Sequence, residues 1–276
     1  MKIIKSIPLM QSISNKAHKP VGLVPTMGSI HEGHIKLINA SKKQNTTTIV
    51  TLFVNPTQFG QDEDFHTYPR NFQKDKKLLS DLGVDILFAP EASQMYPSEF
   101  QTSVINDQLS SVLEGEKRPE HFKGVSTIVS KLLNITKPDN AYFGQKDFQQ
   151  LLIINKLNND LNHGVQIISI PTVRENDGLA LSSRNTYLNQ SQRKAANKIY
   201  TSLNHAKSLY LNGEVNADSI IYAVKKYLLK ESLIKIEYIS IRDKFTFEDV
   251  YTVTPSSIIL IAVYIGKTRL IDNLIF

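Results

Sequence analysis

The sequence predicts an α/β protein: a parallel β-sheet with helices on both faces, followed by a smaller α+β unit. Three observations carry this. From residue 21 to residue 170, short β-branched or apolar runs alternate with longer stretches whose apolar residues recur at helical spacing. One of those runs, TTIVTLFV at 47–54, is almost continuously apolar, as expected of a strand buried on both faces. After Pro171 the order changes to helices first and strands afterwards, which points to a separate α+β unit.

The elements follow in order. Val21, Leu23 and Val24 form a short apolar run that ends at Pro25, before a glycine-containing turn. Residues 31–43 carry Ile35, Leu37 and Ile38 on a helical stripe. After the strand at 47–54, residues 71–82 read as a helix stopped by Gly83, and 84–88 as the next strand. Residues 122–135 read as helix, 140–143 as strand, 147–161 as helix and 165–170 as strand. Repeated β-α-β alternation of this kind builds a parallel sheet. In the last third, 192–211 and 217–230 are helical, IKIEYISI at 234–241 alternates cleanly, and strand-like stretches cover 258–265 and 268–276. The expected division is 1–175 and 176–276, without repeats, low-complexity tracts or long linkers.

Composition narrows the function classes. Apolar residues at 41% and charged residues at 21% place the 276-residue chain among ordinary globular proteins and exclude a disordered one. There are no cysteines, which excludes disulfides, thiolate metal sites and cysteine nucleophiles. The longest apolar run, 258–265, is of strand length, well short of the roughly 18 residues a membrane span needs. MKIIKSIPLM at the start lacks the long apolar stretch and small-residue cleavage site of a signal peptide, so a cytoplasmic protein without a membrane partner is expected. Thirty-two basic against 26 acidic residues leave a net charge of +6. The lysines fall in short groups, such as Lys42 with Lys43 and Lys225 with Lys226, on segments that read as helical. A basic stripe interleaved with aromatics is missing, so no nucleic-acid partner is expected, whereas a small anionic substrate fits the mild excess.

The chemistry concentrates in PTMGSIHEGH at 25–34, between the first predicted strand and the first helix. In an open parallel sheet, ligands bind at the carboxyl ends of strands beside helix N-termini. Gly28 would let the backbone approach a nucleotide closely. Gly33, in the first helical turn, costs about 0.8–1.0 kcal/mol relative to alanine, which makes sense if a side chain there would obstruct a base or ribose. His31 and His34, three apart, share one helix face. There their imidazoles would meet phosphate oxygens beside free backbone N–H groups and the positive end of the dipole. Zinc would ask for H-E-x-x-H or for cysteine partners, and the string supplies neither. Histidines that only satisfy neighbouring carbonyls are the other reading of these residues.

Further segments sit at comparable places. In FVNPTQF at 53–59, Gln58 lies past a strand's carboxyl end, where its amide can donate and accept to a small polyol or acid. Arg118, in RPEHFKGV at 118–125, is suited either to clamping a carboxylate or phosphate or to a surface ion pair. FGQKDFQQ at 143–150 is again a strand-to-helix transition. Lys146 there can offer a point charge to triphosphate oxygens, Asp147 suits an N-cap or a ribose acceptor, and Gln150 would face the same cleft. At the domain junction, PTVRENDGLALSSRN at 171–185 places two serine hydroxyls and an arginine in one loop that can close over β- and γ-phosphates.

The H-x-G-H pattern resembles the signature of the nucleotidyltransferase superfamily, and the wider string 25–34 is similar to that of the pantothenate synthetase (pantoate–β-alanine ligase) family. Gln58 with its neighbours, Tyr68-Pro69-Arg70, and the segments at 118, 143 and 171 agree with that family in order and spacing over the first 190 residues. The C-terminal unit is similar in length and in helix-then-strand order.

The resemblance implies a Rossmann-like domain, a C-terminal lid domain and an AMP-forming ligase that condenses (R)-pantoate with β-alanine through a pantoyl adenylate. ATP is then a substrate, Mg2+ accompanies it, and a homodimer is expected. By resemblance, His34 donates a proton, His31 binds phosphate and Lys146 completes the catalytic set. ATP is assigned to Met27, Gly28, Ser29, Ile30, His31, Glu32, Gly33 and His34, and to Gly144, Gln145, Lys146 and Asp147. Val173 near adenine, and Leu181, Ser182, Ser183 and Arg184 as the counterpart of a K-M-S-K-S loop, complete that list. Gln58 and Gln150 are assigned to pantoate and β-alanine, and Asp75 to the metal. Two departures stand out: Gln145 replaces a frequent glutamate, and Lys74 replaces an acid that often precedes Asp75, which puts direct ligation of magnesium in question.

Overall fold

The computed structural model describes residues 1–61 and 63–276. They divide into two compact units, Met1–Gln145 with Gln149–Pro171, and Lys146–Phe148 with Thr172–Phe276. The sequence put residues 172–175 with the first unit. They go with the second because Arg174 is held there, paired with Asp272 and stacked on Tyr200.

The first unit opens with β1 (Lys2–Ile4) and α1 (Ile7–Ser14), neither of which the sequence pattern revealed. In β1 only Ile4 is buried, so three residues carry no readable period. Then follow β2 (Val21–Thr26), α2 (Glu32–Gln44), β3 (Thr47–Leu52), α3 (Phe72–Asp81) and β4 (Ile86–Phe88). Two four-residue helices, α4 (Ala92–Met95) and α5 (Glu114–Lys117), precede α6 (His121–Thr136), β5 (Asn140–Gly144), α7 (Phe148–Asp160) and β6 (Gln166–Ile170). Residue 147, expected to begin the helix, instead closes a 3-10 turn over Gln145–Asp147.

All six strands are parallel, in the order β1-β4-β3-β2-β5-β6. Successive residues of each central strand feed opposite cores. Val21, Leu23, Ile49, Ile86, Phe88, Ala141 and Phe143 join the cluster built with α1, α6 and α7. Val24, Val50, Leu87 and Tyr142 join the one under α2 and α3. That division explains why TTIVTLFV reads as continuously apolar.

The chain runs β2-β3-β4 in one direction and returns to place β5 on the other side of β2, so the strand order reverses between β2 and β5. Their pairing ends at Leu23 and Ala141, although β2 continues beside β3 to Thr26 and β5 beside β6 to Gly144. Pro25 has no N–H to offer a ladder. The sheet therefore parts at the carboxyl ends of these two strands, where ligands bind in open α/β sheets.

In the second unit, α8 (Gln190–Leu211) and α9 (Ala217–Leu228) cover an antiparallel sheet of β7 (Ile234–Asp243), β8 (Ser257–Ile265) and β9 (Thr268–Ile275). Ile199, Leu203, Ile220 and Val224 pack there on Ile259, Ile261 and Val263. Among the described residues, no helix is long and apolar enough to cross a membrane.

Candidate active site

The turn that leaves β2 is held by hydrogen bonds to β3 and α3 as well as within itself. Thr26 donates its hydroxyl to Thr51 O at 2.6 Å and accepts the Gly28 N–H at 3.2 Å. Gly28 and Ser29 both have positive φ, +87° and +52°. The Ser29 and Ile30 N–H groups donate to the two carboxylate oxygens of Asp75 at 2.9 and 3.0 Å.

His31 is the N-cap of α2. Its Nδ1 accepts the Gly33 N–H at 3.1 Å, and His34 Nδ1 accepts the His31 N–H at 3.3 Å. This is a reciprocal capping box made from two imidazoles, whose rings lie 4.1 Å apart. A ring nitrogen that accepts a backbone N–H carries no proton, so the neutral ring of each histidine is protonated on Nε2.

Two expectations change here. Free backbone N–H groups were expected beside the imidazoles at this helix N-terminus; those of Ser29 and Ile30 are committed to Asp75, and those of His31 and Gly33 to the two histidine rings. Gly33 was expected to leave room for a base or ribose. A Cβ there would instead lie 2.8 Å from His31 Cε1 and 3.0 Å from its Nδ1, so the glycine is required by the histidine cap itself.

Past β3, Asn55, Pro56, Thr57 and Gln58 form a 3-10 turn with its cap. Gln58 is buried, its Oε1 accepting from Asn55 Nδ2 at 3.0 Å and its Nε2 donating to Met27 Sδ at 3.2 Å. Asn55, which sequence reasoning passed over within the same motif, is the hub. It donates to the Gly124 carbonyl at 3.1 Å and accepts from Thr57 and from Tyr96 Oη at 2.8 Å. Its place one residue before Pro56 was the available signal. A Cβ on Gly124 would come within 2.3 Å of Thr57 O, so α6 packs directly on this turn.

Arg118 does not reach outward. It forms a two-point ion pair with Glu63, 2.6 Å at each contact; an ion pair was one of the two readings left open, but at the surface, and this one is half-buried. His121 donates Nδ1–H to the Gln58 carbonyl at 2.8 Å. Removal from water, with Arg118 close by, lowers its pKa to about 4, so it is neutral at physiological pH.

Past β5, Gln149 is consumed by structure, accepting from Glu114 N and donating to the Leu109 and Val112 carbonyls. Gln150 is half-buried on the first turn of α7.

Gly144 ends β5 and Gln145 opens the 3-10 turn after it, both in the first unit, whereas Lys146, Asp147, Val173, Leu181, Ser182, Ser183 and Arg184 belong to the second. Lys146 lies 3.8 Å from Asp147, and its carbonyl accepts from Asn273 Nδ2 at 2.8 Å. Val173 and Leu181 are joined by a backbone bond at the base of a hairpin. Within it, Arg174 grips the buried Asp272 carboxylate at 2.6 and 3.0 Å and stacks 3.9 Å over Tyr200. Burial pushes the Asp272 carboxyl above its ordinary range, against the pull of Arg174. Arg193 ties the same hairpin to α8 through Glu175 and Asp177, and holds the Asp177 carboxyl below its ordinary range. Ser182 caps a 3-10 turn, Ser183–Tyr187, its Oγ accepting the Arg184 N–H at 3.3 Å. The expected loop is thus a hydrogen-bonded turn, with Ser183 buried and Arg184 half-buried.

Asp75, assigned to magnesium, does not fit that part. It is 3% exposed and gives both oxygens to backbone N–H groups. Among the described residues, no group of three or more histidines, aspartates or glutamates is arranged to hold a metal.

Comparison with known proteins agrees over the whole chain. The family model described as pantoate-beta-alanine ligase matches residues 2–275. The chain is 48% identical over 278 residues to the pantothenate synthetase of Thermosipho africanus, covering all of both chains. It is 51% identical over 265 residues to that of Dehalococcoides mccartyi, covering 96% of this chain and 99% of the relative. The crystal structure of the Thermus thermophilus pantothenate synthetase superposes with a TM-score of 0.96 at 37% identity, over 99% of each chain. A Francisella tularensis pantoate-beta-alanine ligase, described as complexed with beta-gamma ATP and beta-alanine, gives 0.82 at 38% identity, over 100% of this chain and 97% of that one.

Proposed function

This chain belongs to the pantoate-beta-alanine ligase family, and from that membership we propose that it joins pantoate to β-alanine at the expense of ATP. The observation that carries the reading is the two-histidine cap of α2, standing where β2 and β5 part. A carboxylate is a poor acylating agent and must first acquire a leaving group. Attack of the (R)-pantoate carboxylate on the α-phosphorus of ATP gives pantoyl adenylate and pyrophosphate. The amine of β-alanine then attacks the acyl carbon, forms the amide of pantothenate and releases AMP.

The groups of the chain suit these steps. The Nε2–H of His34 donates to a phosphate oxygen as charge builds in the transition state, and His31 does the same for a bound phosphate. Both rings are oriented in advance by the caps that their Nδ1 atoms form. Gln58, held between Asn55 and Met27, and Gln150 bind pantoate; the fixed amide of Gln58 lowers the ordering needed on binding. Lys146 supplies a point charge to the triphosphate, and Ser182, Ser183 and Arg184 stabilise the leaving pyrophosphate. The backbone at Val173 lies beside adenine. Mg2+ enters with ATP, held by phosphate oxygens and water rather than by a protein cage. A homodimer is expected from the family resemblance, which sedimentation equilibrium tests, and a cytoplasmic place of action suits an ATP-consuming reaction.

The decisive experiment measures pyrophosphate release from Mg-ATP with pantoate and β-alanine omitted in turn. Release that requires pantoate, with AMP and pantothenate appearing only on addition of β-alanine, is the expected result. Release with another acceptor in place of pantoate, or ATP binding without turnover, would replace this reading.

A further inference from the structure

The turn between β2 and α2 depends on a carboxylate from α3. Gly28 and Ser29 are left-handed in succession, a conformation glycine adopts freely and serine does not. Two such residues aim the Ser29 and Ile30 N–H groups to one side, making a small concave anion site. The anion is Asp75: Oδ2 takes the Ser29 N–H at 2.9 Å and Oδ1 the Ile30 N–H at 3.0 Å. Asp75 is itself fixed, buried in the first turn of α3 with its N–H on the Asn71 carbonyl at 3.0 Å. The next residue of the turn is His31, whose N–H His34 caps.

We propose that Asp75 is a positioning residue for His31 and His34 and not a metal ligand. It locks the Gly28–Ile30 backbone, and that backbone fixes where the two-histidine cap begins and which way the Nε2 protons point. An aspartate is needed because two parallel N–H donors require two acceptor oxygens; asparagine would match one and set its own NH2 against the other. The fit is also too close for a hydrated ion. A Cβ on Gly28 would lie 3.1 Å from Asp75 Oδ2, so the turn closes directly over the carboxylate, whereas magnesium keeps several waters. This inference rests on the ligase reading, because it gives Asp75 a part in that reaction.

The test compares wild type with Asp75→Asn in three measurements. Pantoate-dependent pyrophosphate release should fall about 10²-fold, the scale for a misplaced catalytic group, with the Mg2+ concentration for half-activation unchanged within about 2-fold. The ring nitrogen and Cε1–H resonances of His31 and His34 should shift in the protein without nucleotide or metal. In wild type, Mn2+ alone should leave the Ser29 and Ile30 amide resonances sharp. Activity restored by raising Mg2+, unmoved histidine resonances in the folded variant, or selective broadening of those amides by Mn2+ would each overturn the proposal. The manganese measurement decides it even when Asp75→Asn does not fold. Wild-type protein without pantoate-dependent release removes the ligase reading instead, leaving the ring and manganese results to judge the placement of Asp75.

Discussion

His34 Nδ1 accepts the backbone N–H of His31 while His31 Nδ1 accepts that of Gly33, so the two imidazoles cap the helix that carries them. In the proposed mechanism the arrangement couples helix stability to the chemistry of the same rings. It also separates the two experimentally. Asparagine is among the best N-caps, so His31→Asn should hold stability within about 0.5 kcal/mol of wild type, whereas His31→Ala should lose about 1 kcal/mol. Pyrophosphate release should fall about 10²–10³-fold in both, and likewise in His34→Ala and Lys146→Ala, the scale for one preorganised electrostatic contact. Wild-type rates in His31→Asn would show that the ring serves the helix alone.

Gly33→Ala tests the same cap from the other side. In an unconstrained helix the change is worth up to about 1 kcal/mol of added stability. Here the new methyl would lie 2.8 Å from His31 Cε1 and displace the ring. We expect no gain in urea-unfolding free energy and a rate reduced at least about 10-fold, as for a displaced catalytic group. A more stable, fully active variant would mean that the ring yields without consequence.

The neutral His121 makes stability depend on pH. In the unfolded chain its pKa is near 6.5, while in the fold it is lowered to about 4. Below pH 6.5 the unfolded state takes up a proton that the folded state refuses. The stabilisation is therefore complete above pH 6.5 and is lost as the pH falls towards 4, by up to about 3 kcal/mol. Urea midpoints measured between pH 7 and 4 should decline less steeply in His121→Gln than in wild type. Equal slopes would place the effect elsewhere.

In the second unit, the Arg174–Asp272 pair is buried on the aspartate side and supported by the stack on Tyr200. Arg174→Met leaves Asp272 buried without its partner and should destabilise by about 3–5 kcal/mol. Arg174→Lys keeps the charge but loses the two-point fork and the planar stack, so it should rescue only part of that loss. Thermal unfolding of both variants checks the order; a lysine variant equal to wild type would show that charge alone suffices.

Much of this was readable in the chain. Apolar runs between helical stretches located every strand from Val21 onwards, because a strand buried on two faces leaves a continuous apolar run and one buried on a single face a period of two. The strand Lys2–Ile4 left none, since only one of its residues is buried. The histidines, Gln58 and the serine-arginine turn drew attention by residue type and spacing, and their roles came from the family resemblance. Asn55 and Asp75 were not understood, since an asparagine hub and a carboxylate under a turn act through partners 69 and 46 residues away, respectively.

The sequence by itself determined the architecture and the order of the motifs, because local periodicity and residue type encode them directly, and the resemblance of those motifs to the ligase family supplied the class of chemistry. Only the tertiary structure decided what the site's backbone does with its hydrogen bonds. The N–H groups of Ser29 and Ile30 are turned onto Asp75 and those of His31 and Gly33 onto the two imidazoles, and a side chain at Gly33 would meet the His31 ring. Those facts depend on where α3 and the capping rings come to rest beside the β2 turn. The Asp75 contacts join segments 45 and 46 residues apart, and no local pattern along the chain records packing at that distance.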